Sequence, residues 1–168
     1  MRARLAAALS LLFAVAPALA ETSEGTLVRI TVAEEMPAPP AAVWKALTTG
    51  TSLVTWCPVW KDPENAKVKL ARVGDTLEFL DEWGNGGRSI VTFLEPEREL
   101  RVAHEPTTGE YLCQARLLLD AKGTGSIVTY VEQYSDDSND ADRIATAGKT
   151  EAAMKSTLAA LEKQVAGE

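Results

Sequence analysis

Apolar and polar residues alternate along most of this chain. Val28, Ile30 and Val32 are separated by Arg29 and Thr31, and that period of two predicts a strand with one buried face. "PAPP" ends it. Pro40 suits the first turn of a helix, and Val43, Trp44 and Leu47 then fall on one helical face. Gly50 should break that helix. "TSLVTWC" reads as a second short helix ended by Pro58, and "WKDPEN" as a loop. Six further strands are predicted, in "AKVKLA", "GDTLEFLDEW", "RSIVTFLE", "LRVAHE", "EYLCQARLLLDA" and "SIVTYVEQYS". Short turns bearing Gly or Pro, such as "GNGG" and "KGTG", join them, so the pairing should be antiparallel.

After "DDSNDAD" the period changes. Residues 141–166 contain no Pro and are rich in Ala, Lys, Glu and Leu, which predicts one long helix. Its apolar stripe is Ile144, Ala147, Met154, Leu158, Leu161 and Val165, with Glu151 inside the stripe. The Ser, Asn and Asp residues ahead of it are good helix caps. The fold class is therefore α+β: a seven-stranded antiparallel sheet, two short helices between strands 1 and 2, and a C-terminal helix covering one sheet face.

Composition changes the picture at the N-terminus. "MRAR", an apolar run over 5–15 and "PALA" have the layout of a secretory signal peptide ending at Ala20. The run is too short to span a bilayer. Residues 21–168 then form one exported domain, periplasmic or secreted, with no transmembrane segment. Losing Arg2 and Arg4 makes the net charge of −7 two units more negative. An acidic surface without a basic stripe is a poor match for nucleic acid or an anionic membrane.

The order and spacing of several segments resemble the START-like, or helix-grip, superfamily. The likeness is greatest to stand-alone domains resembling the activator of the ninety-kilodalton heat-shock-protein ATPase, and to the polyketide cyclase group. "PAPPAAVWKALTTGTSLVTW", "RVGDTLEF", "FLEPERELRV" and "GTGSIVTYVEQY" carry the resemblance. It implies a curved sheet gripping the C-terminal helix, with a cavity between them for a lipid, sterol or polyketide-like molecule. It supplies no universal catalytic motif. Chaperone activation fits an exported chain poorly.

On this frame Trp56 should pack one end of the cavity. Leu77, Phe79, Asp81 and Trp83 share one strand face; Tyr130 and Glu132 share another; Met154 and Leu158 face them from the helix. Tyr111, Cys113 and Ala115 share a face, with Tyr111 near an entrance. His104 follows Leu100 and Val102 inward, either as a hydrogen-bonded wall residue or as a group titrating near neutral pH. Asp81, Glu132 and Glu151 either sit at a wet mouth, pair with Arg88 or Arg116, or have raised pKa values and act as acids. This leaves two main functions: binding of a small, largely hydrophobic molecule, or a cyclase, dehydratase or isomerase using Glu151, His104 or Asp81 for proton transfer. A third, protein interaction through "DDSNDAD", competes with helix capping. Cofactors are not expected: the glycine clusters are turn glycines and open no helix, and one His with two separated Cys is too few for a metal set. In an exported protein Cys57 and Cys113 could pair as a disulfide or remain two buried thiols.

Overall fold

The computed structural model describes residues 25–80, 84, 86–107 and 113–167. Strand β1 (Thr26–Met36) leads into helices α1 (Pro40–Thr48) and α2 (Gly50–Trp56), then two short 3-10 helices (Pro58–Trp60 and Pro63–Lys67). Strands β2 (Thr76–Leu80), β3 (Gly86–Glu95), β4 (Glu99–Pro106), β5 (Cys113–Lys122) and β6 (Gly125–Asp136) follow, and helix α3 (Asp140–Ala166) closes the chain. The strands form one antiparallel sheet in the order β1-β6-β5-β4-β3-β2. The chain thus runs β2 to β6 as a meander, and β6 finally pairs with β1.

The described sheet has six strands, where seven were expected. Residues 66–71 do not join it. Ala66 and Lys67 finish a 3-10 helix, and Lys69 makes only an isolated bridge to Thr49. The backbone groups of this segment go instead to the break between α1 and α2: Gly50 N–H donates to the Val68 carbonyl and Leu70 N–H to that of Thr48. The place beside β2 is taken by a side chain. Asn65, 1 % exposed, accepts from Glu78 N–H at 2.9 Å and donates to the Glu78 carbonyl at 2.7 Å.

The helix break itself lies at Thr49, whose backbone is extended. Gly50 starts α2 and is pressed against another segment, where an added Cβ would stand 2.0 Å from the Asn65 carbonyl oxygen. Pro40 opens α1 as expected, and Pro58 follows the end of α2.

Helix α3 packs against β1, β6, α1 and α2. Asn139 caps it, accepting from Ala141 N–H and Asp142 N–H, and Asp140 and Asp142 lie in the first turn. The acidic loop therefore complements the helix dipole. Gly167, with φ of 82°, supplies the left-handed C-terminal cap. Met154, Leu158 and Leu161 bury against Leu47, Leu53, Val102 and Val128 in one core. Ile144, assigned to the same stripe, is exposed in the first turns. On the sheet's other face the buried carboxylate of Glu99 receives Arg101 and Arg116, and the Arg101 guanidinium lies 4.7 Å from the centre of the Phe93 ring.

Candidate functional site

Between the sheet and α3 lies a cavity of about 580 Å³. Strand parity explains its sheet wall. Tyr130, Glu132 and Tyr134 follow Val128 on one face of β6, and Cys113, Ala115 and Leu117 alternate along β5 beside them. Its helical wall is built from small residues. Thr146, Thr150, Ala153 and Thr157 line the space with Met154. Longer side chains at those four positions would fill it. Trp56, Cys57 and Trp60 form one end, with the Trp56 indole donating to the Ala46 carbonyl at 3.1 Å.

Two polar clusters face this space. In the first, the buried Trp60 indole donates to Ser89 Oγ at 2.8 Å, and Ser89 Oγ lies 2.8 Å from His104 Nδ1. The indole can only donate. The serine hydroxyl, having accepted from it, can pass its own hydrogen to Nδ1. That arrangement satisfies all three groups with the imidazole protonated at Nε2. Cross-strand pairing of Ser89 with His104 fixes the contact, and Phe79 meets the imidazole edge-on at 5.3 Å.

In the second cluster, Glu132 accepts from Cys113 Sγ at 3.2 Å through one oxygen and from the Tyr130 hydroxyl at 3.0 Å through the other. Burial, then the charge of Glu132, pushes the Cys113 thiol far up. Burial and the same carboxylate hold Tyr130 well above its usual range. Burial pushes the Cys57 thiol up to about 12, against the opposing backbone N–H groups of Val59 and Trp60. Both cysteines are free thiols and both are buried. Protonated and sheltered, neither is a nucleophile at neutral pH. They serve as neutral walls and, at Cys113, as a donor.

The mouth is acidic. Ser135, Asp136 and Asp137 line it at the end of β6. The hydroxyl and amide of Ser138 beside Asp136 hold its carboxyl below the ordinary range. Deeper in, the Tyr134 hydroxyl oxygen is buried without a well-formed hydrogen bond, next to Thr150.

The structure places the residues singled out from the sequence as follows. Trp56, Phe79, His104, Tyr130 and Met154 line the cavity. Leu77 and Leu158 are buried in the core and do not line it. Glu151 lies on the flank of the α3 stripe, with its side chain 47 % exposed and paired to Lys155 at 2.5 Å. It is not a cavity residue, so it does not meet His104 there. Asp81, Trp83 and Tyr111 lie outside the described residues, as does the leader over 1–20. Ser89, Tyr134 and the threonines of α3 escaped notice. A lone serine among the apolar residues of β3, and threonines spaced at 146, 150 and 157, were the available signals. Among the described residues no group of three or more His, Cys, Asp or Glu could hold a metal ion, and no helix is long and apolar enough to cross a membrane.

Solved structures of similar shape support the fold. A protein from Rhizobium leguminosarum superposes with a TM-score of 0.64 at 17 % identity, covering 86 % of this chain and 97 % of its own. CalU16 from Micromonospora echinospora gives 0.58 at 20 % identity, covering 84 % and 85 %. DynU16, a protein of the dynemicin biosynthetic locus, gives 0.59 at 18 % identity, covering 82 % of this chain and 46 % of its own. No curated protein sequence matches the chain. The family model described as activator of Hsp90 ATPase homolog 1-like protein matches residues 37–166. That span runs from the end of β1 through the last turn of α3, and the chain belongs to this START-like family.

Proposed function

We propose that this chain is an exported START-like protein that holds a small, largely hydrophobic molecule between the sheet and α3. The cavity itself supports the reading. Its 580 Å³ falls within the range of roughly 300–1,000 Å³ usual for small-molecule sites. Trp56, Trp60, Phe79 and Met154 give it apolar walls, and polar groups such as His104 and Glu132 can orient one end of a ligand. A lipid, sterol or polyketide-like body fits such walls. Export rests on the leader pattern of residues 1–20, with cleavage after Ala20 into a periplasmic or secreted form. An exported chain would not meet a cytosolic ATP-driven chaperone.

Native mass spectrometry of the exported protein tests both parts. The expected species begins at Glu21 and carries a non-covalent adduct of lipid-like mass. An empty protein that also takes up nothing from a lipid extract would sink the binding reading. A chain retaining residues 1–20 would sink export.

His104 favours a second reading, proton transfer by a cyclase, dehydratase or isomerase. Its Nδ1 stands 2.8 Å from Ser89 Oγ and its ring lines the cavity. His104→Ala should then abolish turnover while sparing ligand affinity. Absence of any turnover in the wild type on cyclic or polyketide-like substrates removes this reading.

A further inference from the structure

The two polar clusters of the cavity are hydrogen-bonded within themselves. Tyr134 is different. Its side chain lines the cavity, and its hydroxyl oxygen is buried without a well-formed hydrogen bond, next to Thr150. Native structures rarely leave a buried hydroxyl in that condition without a reason. The strand holds the residue in place, because Tyr134 is paired with Val28 of β1 on one side and Cys113 of β5 on the other. Thr150 comes from α3 and is 5 % exposed. Its hydroxyl donates to the Thr146 carbonyl at 3.1 Å, one helical turn back. The only hydrogen on Thr150 Oγ1 is thereby used, and the oxygen keeps acceptor capacity alone. Small residues, Thr146 and Ala153, line the cavity on either side of Thr150 along the helix and leave room there.

The wall thus sets a donor without a good acceptor beside an acceptor whose own hydrogen is spent. A neutral hydroxyl meets both needs, accepting from Tyr134 and donating to Thr150. An ether or a ketone can only accept, and a hydrocarbon does neither. On the binding reading above, we infer that Tyr134 and Thr150 are the polar anchor of the cavity and that the preferred ligand is an uncharged alcohol, an apolar body bearing a hydroxyl. The Tyr134 oxygen is covered, so a small tilt of its ring brings the hydroxyl to the ligand, and that tilt breaks no well-formed hydrogen bond. The apolar body then lies along Ala153, Met154 and Leu117. The anchor narrows a hydrophobic site to one kind of polar group.

Three probes of similar body separate donor from acceptor: 1-octanol, its isomer 1-methoxyheptane, and octane. Each is titrated into the wild type and two variants, with tryptophan fluorescence as the signal. Following one probe across the variants cancels the probes' different solvation in water. Tyr134→Phe removes the donor; it should weaken the alcohol and the ether by about five-fold each and leave octane within about two-fold. Thr150→Val keeps the shape and removes the acceptor; it should weaken the alcohol by about five-fold and leave the ether within about two-fold. The Thr146 carbonyl still receives the Thr150 amide, as in any α-helix, so this change orphans no group. If Tyr134→Phe fails to fold, the alcohol–ether contrast in Thr150→Val carries the test. An alcohol that binds all three proteins equally overturns the inference, the two hydroxyls then serving each other or a water, and leaves the hydrophobic site standing. Octane losing as much as the alcohol also overturns it, because the variants then act through the shape of the wall. If none of the three probes binds the wild type, the cavity reading falls with it.

Discussion

Ser89→Ala offers the sharpest test of the site's construction. The serine is 1 % exposed and Trp60 is 3 % exposed, so no water replaces the lost hydroxyl easily. The indole N–H would lose its 2.8 Å acceptor, and His104 Nδ1 would lose its neighbour. A buried donor left without a partner costs about 1–3 kcal/mol, and the removed oxygen leaves little void. A loss of about 2 kcal/mol should lower Tm by about 4–8 °C in a domain of this size. Urea unfolding, followed by tryptophan fluorescence and by circular dichroism, measures it. A double-mutant cycle with Trp60→Phe isolates the indole bond, because Phe has no N–H to orphan. The expected coupling is about 1 kcal/mol. If Ser89→Ala costs under about 0.5 kcal/mol, or the two changes simply add, the serine does not hold the two rings and the tautomer argument for His104 falls.

Three further outcomes follow from other parts of the molecule. Burial would raise the Glu99 carboxyl, but the hydrogen bonds and charges of Arg116 and Arg101 outweigh it and leave the pKa lowered. Its stabilising contribution is therefore complete above the unfolded carboxylate range and is lost as pH falls through the folded value. Glu99→Gln should cost about 1–2 kcal/mol at pH 7, because both arginines are partly solvated. It should also flatten the acid side of a stability–pH profile; an unchanged profile would contradict the assignment. Gly50→Ala should yield little folded protein, since its Cβ would meet the Asn65 and Val68 carbonyl oxygens. Gly148→Ala, which meets nothing within 4 Å in the middle of α3, should instead raise stability by about 0.5–1 kcal/mol in the same urea assay. Both thiols should resist Ellman's reagent at pH 8 in the native protein and react in guanidinium without reductant; the absence of any reactive thiol would show a bridge.

The periodic elements were legible because burial enforced them. One face of each strand and one stripe of α3 had to be apolar, so most strands and the C-terminal helix follow from their periods, and the Gly- and Pro-bearing turns mark the hairpins. The same parity put Tyr130 and Glu132 on one face and turned Phe79 and His104 inward, and all four line the cavity. It failed where periodicity is not what decides. Residues 66–71 alternate like a strand, but their backbone groups are claimed by Thr48 and Gly50. Glu151 sits within an apolar spacing, yet it lies on the edge of the stripe where Lys155 can reach it. The threonine face of α3 was invisible to a search for large apolar residues, because a cavity is made by small ones. Ser89 is a weak mark in the sequence, because what a lone serine does depends on its neighbours across the strand.

Asn65 has a consequence beyond the strand it replaces. A sheet that stops at β2 exposes a row of backbone donors and acceptors, the kind of edge that recruits a strand from another molecule. One carboxamide occupies both groups of Glu78 in the way a neighbouring peptide unit would. It is a single-residue stopper against edge-to-edge assembly. Conversion to Asp would keep the acceptor but set an oxygen against the Glu78 carbonyl, turning the stopper into a wedge. The integrity of one amide nitrogen then decides whether the Glu78 carbonyl at that edge stays covered.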